Sequence, residues 1–204
     1  MEIKNKIGNA FDFFINGLAT LCLLVYGLSA YNSDILPQSI LLPFAFLLGS
    51  AGIITLANIH FKFSLAGKES RYYKTGIIFL ILAFFELTVM LTVQQSIILS
   101  NTKTEIAVLN SIHLGMDIGF DIFYSIGIMF VSVGFITENL YSVLGWYGVT
   151  ISILLLTFNL ITFPIPPKDM GLFDLGVFTV IWWFILILKV KSKKIELWQR
   201  HLAK

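Results

Sequence analysis

The sequence predicts an all-α integral membrane protein with six transmembrane helices in a single bundle. Hydrophobic residues make up 57% of the 204 residues and charged residues only 13%, about half the charged share of an ordinary soluble domain. Several apolar stretches reach about twenty residues, the length that a helix needs to cross the hydrocarbon core of a bilayer. These stretches are continuous rather than alternating, which favours helices over a β-barrel.

Six spans can be placed along the chain, and they form one domain covering residues 1–204. They lie near 10–31, 39–60, 75–99, 109–136, 140–163 and 171–190. Thr102 and Glu105 have the spacing of a capping box, so the fourth helix is expected to begin near Lys103 and to run to about Ile136. Residues 191–204 are expected to form a basic cytoplasmic tail.

The basic residues predict the orientation of the spans. Two of the fourteen, Lys103 and Lys168, fall on one side of the predicted membrane, and the other twelve fall on the opposite side. The twelve are Lys4, Lys6, Lys62, Lys68, Arg71, Lys74, Lys189, Lys191, Lys193, Lys194, Arg200 and Lys204. The positive-inside rule then places the N-terminus and C-terminus in the cytoplasm, which agrees with an even number of spans. Because these residues act as topology signals, they give no indication of a nucleic-acid partner.

A polar stripe interrupts the fourth span in the stretch SIHLGMDIGFDIF. His113, Asp117 and Asp121 are spaced four residues apart, and such a step advances a helix by only about 40° beyond a full turn. They therefore share one side of the helix. A carboxylate at the centre of a bilayer costs about 2.5–3.5 kcal/mol on insertion scales. That cost favours a functional role for the stripe, although buried acids can also simply hydrogen-bond to neighbouring helices.

Three further polar residues belong to the same predicted half of the membrane. Glu86 is near the middle of the third span, Asn159 near the outer end of the fifth, and Asp174 one turn inside the outer end of the sixth. Together with the stripe they predict an acidic pocket, open to the outside, among spans three to six. In this hypothesis Glu86 and the two aspartates of the stripe bind a cation or proton. The histidine of the stripe and Asn159 orient the ligand, and Asp174 lies at the rim. Asp174 could instead favour the positive end of its own helix.

Two glycines lie on a different face of the fourth helix. Gly115 and Gly119 form a small-xxx-small pair, which suits close packing against a neighbouring helix. The neighbour could belong to the same chain or to a second copy, so the pair allows for a homo-oligomer.

No resident cofactor is expected. His113, Asp117 and Asp121 could hold a divalent metal, but cation diffusion facilitators use such HxxxD pairs on two helices, and here the second pair is missing. Cys22 is the only cysteine, which argues against disulfide frameworks and CxxC redox chemistry. The sequence does not favour an enzyme: Ser111 and Ser125 have no distinctive setting for a Ser–His–Asp hydrolase, and membrane zinc hydrolases usually use several histidines where the predicted outer half of the membrane has one.

The second half of the chain resembles a bacterial family of small membrane proteins, domain-of-unknown-function family 4386. The stretches that carry the resemblance are IHLGMDIGFDIFYSIGIMFVSVGFI, LYSVLGWYGVTISILLLTFNLITFPIPP and GLFDLGVFTVIWWFILI, within residues 110–190. The shared features are a histidine that opens the fourth span, N-x-x-x-FP at the end of the fifth, and D-x-G at the start of the sixth. The resemblance implies a six-helix fold and a bacterial inner membrane, and it carries no activity.

The leading hypothesis is therefore a multi-pass protein of the cell membrane, surrounded by the lipid bilayer. Its outward-facing acidic pocket would bind, and could transport, a small cationic or polar solute. A non-catalytic accessory or regulatory membrane protein and a membrane-embedded, metal-dependent enzyme remain the alternatives.

Overall fold

The computed structural model describes residues 38–65, 70–173 and 175–190, with residues 14, 17, 18 and 21 besides, and it is helical in this part without any strand. The α-helices are α1 (Gln38–Leu65), α2 (Arg71–Leu99), α3 (Lys103–Thr137), α4 (Ser142–Thr162) and α5 (Gly176–Val190). They correspond to the second to sixth predicted spans. The first predicted span and the tail at 191–204 lie outside these continuous ranges, so six spans and cytoplasmic termini stay predictions.

Three helices are long and apolar enough to cross a bilayer, namely α2, α3 and α4, whereas α5 is a shorter apolar helix. Large apolar side chains also cover the outside of the bundle. Phe85 is 62% exposed, Val143 87% and Ile161 73%. A soluble monomer rarely exposes so much apolar surface, so these faces suit lipid.

The helix ends follow the local sequence. Ser70 begins α2, where its hydroxyl accepts a hydrogen bond of 3.2 Å from the backbone N–H of Tyr73. Thr102 begins α3 in the same way, accepting from the N–H of Glu105 at 3.3 Å. The prediction that this helix extends from near Lys103 to about Ile136 is thereby confirmed. By contrast, α5 begins at Gly176, five residues after the predicted start at 171.

Glycines set the closest helix contact, which joins α2 and α3. A Cβ added to Gly76 would lie 2.5 Å from the backbone nitrogen of Val131, and one added to Gly127 would lie 2.7 Å from Cγ of Leu80. A Cβ on Gly134 would meet Tyr73 at 2.9 Å. Moving from Tyr73 to Leu80 along α2 therefore corresponds to moving from Gly134 back to Gly127 along α3, seven residues in each helix. The two helices are antiparallel and pack backbone against backbone, as small residues allow in membranes.

The other helices continue the antiparallel order. Gly145 and Gly148 of α4 pack on α3, where a Cβ on Gly145 would lie 2.8 Å from the carbonyl oxygen of Ser132. The indole N–H of Trp182 in α5 donates to the Leu144 carbonyl at 3.2 Å. On the other side, α1 packs on α2 with Gly52 against the ring of Phe84.

Aromatic side chains hold one end of the bundle together. The ring centroids of Tyr73 and Phe135 are 6.3 Å apart, and those of Phe135 and Tyr141 are 5.6 Å apart. The Tyr141 hydroxyl donates to the Lys189 carbonyl at 3.2 Å. The start of α2, the end of α3, the start of α4 and the end of α5 therefore meet here.

Charge distinguishes the two ends of the described bundle. Arg71 and Lys74 lie in the first turn of α2, and Lys189 lies in the last turn of α5, so all three are at the aromatic end. Lys103, at the start of α3, is at the opposite end. The positions of these four residues agree with the predicted asymmetry of basic residues.

The glycine contact between α2 and α3 predicts opposite effects for two substitutions. Gly76→Ala should lower the stability of the folded protein by about 1–3 kcal/mol, because the new methyl group meets the backbone of α3. Gly115→Ala is the matched control, since an added Cβ there has no atom of the described residues within 4 Å. It should leave stability unchanged or raise it by up to about 1 kcal/mol. Thermal unfolding of the purified protein in detergent measures both, and equal effects would contradict the packing.

Candidate functional site

The predicted polar stripe lies on α3, and its middle residue is the most enclosed. His113 is half-buried, Asp117 is only 8% exposed, and Asp121 is half-buried. Each of the three side chains makes a polar or electrostatic interaction. The stripe therefore belongs to the interior of the described bundle rather than to its outer surface.

Glu86 approaches α3 from α2 at a different place. Its carboxylate occupies the space beside Gly119, where an added Cβ would collide with Oε1 and would lie 2.9 Å from Cδ. The second oxygen, Oε2, is buried and accepts no hydrogen bond from the described residues. Glu86 is thus packed against the backbone of a helix, with one acceptor oxygen left unsatisfied.

Helix geometry separates Glu86 from the two aspartates. At 100° per residue, Asp117 and Asp121 leave α3 about 160° and 200° around the helix from Gly119, which Glu86 contacts. Glu86 therefore lies on one side of α3 and the aspartates on the other. The sequence predicts one pocket for all three residues, because the depth of a residue in the membrane follows from its position along a span. The direction in which its side chain leaves the packed helix does not.

The described residues do not assemble a three-ligand metal site from histidine, cysteine, aspartate or glutamate. The stripe explains this result, because His113 and Asp121 are eight residues apart and so about 12 Å apart along the helix axis. A metal ion binds such ligands at about 2.0–2.2 Å. The stripe is therefore too extended to surround one ion by itself.

Asn159 is the most completely enclosed of the predicted site residues. It is 0% exposed, and its amide nitrogen donates to the Leu155 carbonyl at 3.0 Å. Its oxygen, Oδ1, is buried and accepts no hydrogen bond from the described residues. Leaving a buried acceptor without a hydrogen bond costs about 1–3 kcal/mol of folding free energy, so a ligand that donates to this oxygen would be stabilised here.

The register of α3 and α4 places Asn159 opposite Asp121. Gly148 of α4 is in contact with the side chain of Ser132 on α3. Asp121 is eleven residues before Ser132, and Asn159 is eleven residues after Gly148. Eleven residues complete about three turns, so each polar residue returns to the contacting face of its helix. Since the helices are antiparallel, the two residues share one level of the bundle.

Tyr124 borders this level and interacts with Thr179 of α5, and neither residue was predicted from the sequence. The side chains of Tyr124 and Thr179 are close enough to interact, and the charge of Asp121 acts on Tyr124. Both residues are buried, with Tyr124 5% and Thr179 2% exposed. The available signal was the three-residue spacing from Asp121 to a tyrosine whose hydroxyl needs a partner inside a membrane. We call Asp117, Asp121, Tyr124 and Asn159 the Asp121 site; Thr179 lies beside it, closer to the middle of the bundle.

The predicted glycine pair on α3 is divided in the structure. Gly119 packs closely, but its neighbour is the carboxylate of Glu86 in the same chain. Gly115 is exposed and has open space around it. The two glycines therefore do not form one packing face, and self-association through them remains a prediction that could depend only on Gly115. Asp174, the predicted rim residue, lies outside the described residues.

The contact between Glu86 and Gly119 predicts a dependence between two substitutions. Gly119→Ala should destabilise the protein, because the new methyl group displaces the carboxylate. In a Glu86→Ala background the same change should cost less, with a coupling of about 0.5–3 kcal/mol. A double-mutant cycle of thermal unfolding measures this coupling. Additive effects would show that the carboxylate does not occupy this place.

Comparison of the chain with known protein families, curated proteins and solved structures finds no match. The resemblance to domain-of-unknown-function family 4386 therefore remains a prediction, and the functional argument depends on the residues of the chain itself.

Proposed function

We propose that this chain is a multi-pass protein of the cell membrane with six membrane-spanning helices and both termini in the cytoplasm. Three described helices have the length and composition that this arrangement requires. Further support comes from Arg71, Lys74 and Lys189, which share one end of the bundle. Under the positive-inside rule this end faces the cytoplasm, and the Asp121 site lies nearer the opposite surface.

The proposed function is the binding of a small cationic or polar solute at the Asp121 site. The observation that carries the proposal is the unsatisfied oxygen of Asn159, fully buried at the level of Asp121. A carboxylate and an amide oxygen are both hydrogen-bond acceptors. A cation, or a solute with several N–H or O–H groups, would satisfy the Asn159 oxygen and add a favourable interaction with the Asp121 carboxylate.

The membrane strengthens this argument. A buried carboxylate is costly in a low-dielectric interior unless a positive charge or a donor compensates it. Such residues inside a span therefore mark binding sites and ion pathways more often than residues on the aqueous surface do. A compensating solute would bind with selectivity for positive charge.

Transport of the solute extends the same proposal. Asn159 has no exposed surface, so a bound solute would be enclosed by the bundle. Release to either side of the membrane would then require a change in helix packing.

The alternatives have weaker support in the described residues. A metal-dependent enzyme requires a ligand group that the described helices do not assemble. In an accessory role the carboxylates would bind no solute. The substitution described next distinguishes that role from solute binding.

Asp121→Asn should abolish binding of a cationic probe while leaving the protein folded, because it removes the charge and keeps the shape. Sodium, guanidinium and methylammonium chlorides can be titrated against N-methylglucamine chloride, whose cation is too bulky for an enclosed site. At least one small cation should raise the unfolding temperature of the wild-type protein, by the mass-action stabilisation of the folded state. In Asp121→Asn that shift should disappear.

Glu86→Gln is the matched control, since Glu86 lies on the other side of α3 and should retain the shift. The proposal is contradicted if none of the three small cations stabilises the wild type beyond the control salt. It is also contradicted if Asp121→Asn retains the stabilisation.

A further inference from the structure

The helices α4 and α5 differ in length in a way that matters for a membrane protein. The twenty-one residues of α4 extend about 31 Å, close to the hydrocarbon thickness of about 30 Å. The described part of α5, fifteen residues, extends about 22 Å and begins only at Gly176. If both helices cross the same bilayer, the part of the path before Gly176 is not covered by α5.

A hydrogen bond shows where the uncovered part lies. The Tyr147 hydroxyl of α4 donates to the Phe178 carbonyl of α5 at 2.8 Å. Beyond this bond α4 continues for fifteen residues to Thr162, which is about 22 Å. On the other side α5 has only two residues left before its start at Gly176. No turn of α5 therefore accompanies the outer half of α4.

The connection between the two helices takes that place. Its 3-10 helix, Pro167–Met170, packs against α4. Pro166 and Pro167 are buried. The backbone N–H of Ile165 donates to the Thr162 carbonyl at 2.9 Å, so the segment is joined to the end of α4.

Five of the side chains whose exposure is described in this segment are apolar and face away from the protein. Phe163 is 63% exposed, Ile165 40%, Met170 56%, Leu172 42% and Phe173 57%. Complete transfer of such a side chain from water to an apolar environment is worth about 1.5–3 kcal/mol, and the exposed part of each contributes about half of that. Five such side chains in eleven residues are unusual for an aqueous loop.

The backbone of the segment is suited to a low-dielectric environment. Irregular backbone is tolerated at membrane depth only where it packs on protein and its polar groups are satisfied. Pro164, Pro166 and Pro167 have no N–H group and so need no acceptor. The N–H of Leu172 donates to the Pro167 carbonyl at 3.0 Å. The segment thus has few backbone donors to satisfy.

We propose that residues 163–173 are embedded in the membrane and complete the span that α5 leaves short. Their backbone packs on α4, and the five apolar side chains contact the lipid acyl chains near the headgroups. Lipid is favoured as the occupant because the exposed face continues the apolar faces of α4, on which Leu160 is 60% and Ile161 73% exposed. The segment contains two charged residues, Lys168 and Asp169, which are opposite in sign; in a membrane-embedded segment their charges would lie among the headgroups and water. The proposal depends on the membrane location of α4 and not on the Asp121 site.

Site-directed spin labelling tests the location of the segment in lipid bilayers. In a Cys22→Ser background, Met170→Cys and Phe173→Cys are labelled one at a time, both at exposed positions where a label removes little packing. Collisions with oxygen report exposure to lipid, and collisions with a nickel chelate report exposure to water. Phe85→Cys, on the apolar face of α2, and Thr104→Cys, at the exposed start of α3, supply the two reference values.

Both test labels should be several-fold more accessible to oxygen than to the nickel chelate, as at residue 85. A preference for nickel, as at residue 104, would place the segment in water and overturn the proposal. Low accessibility to both reagents would also overturn it, since a second copy or another protein would then cover the segment.

Discussion

The close approach of α2 and α3 is the contact on which the rest of the structure depends. Gly76, Gly127 and Gly134 allow the two backbones to meet with almost no side chain between them. Inside a bilayer the hydrophobic effect gives little preference between helix contact and lipid contact, so such close packing supplies much of the association energy. The contact fixes the rotation of α3, and the rotation decides which polar groups face α2 and which face α4.

The rotation of α3 explains the separation of the acidic residues. The glycines of α3 face α2, and the space beside Gly119 accommodates the Glu86 carboxylate. Asp117 and Asp121 lie on the other side of α3. There the register with α4 brings Asn159 to the level of Asp121. The packing of α2 on α3 therefore creates two different polar environments. One is a carboxylate against a helix backbone, and the other is an enclosed set of acceptors suited to a positive or donor-rich solute.

The sequence predicted what depends on composition along a single helix. The spans of α2, α3 and α4 follow from apolar length, and the start of α3 follows from Thr102 and Glu105. The partners of each glycine could not be predicted, because a small residue can face any neighbour until the helices are packed. Tyr124 and Thr179 were missed for a related reason, since their proximity joins two helices that are distant in sequence. The late start of α5 was missed because the apolar residues of GLF extend the hydropathy signal beyond the helix.

The relation between α3 and α4 is the central claim, and chemical cross-linking tests it most directly. In a Cys22→Ser background, Asp121→Cys with Asn159→Cys should be joined by a short bifunctional thiol reagent, because the two positions share one level on facing sides of the helices. Asp121→Cys with Leu154→Cys should not be joined, since Leu154 is 43% exposed and lies about 240° around α4 from Gly148. Linkage through residue 154 instead of residue 159 would contradict the register and the site built on it.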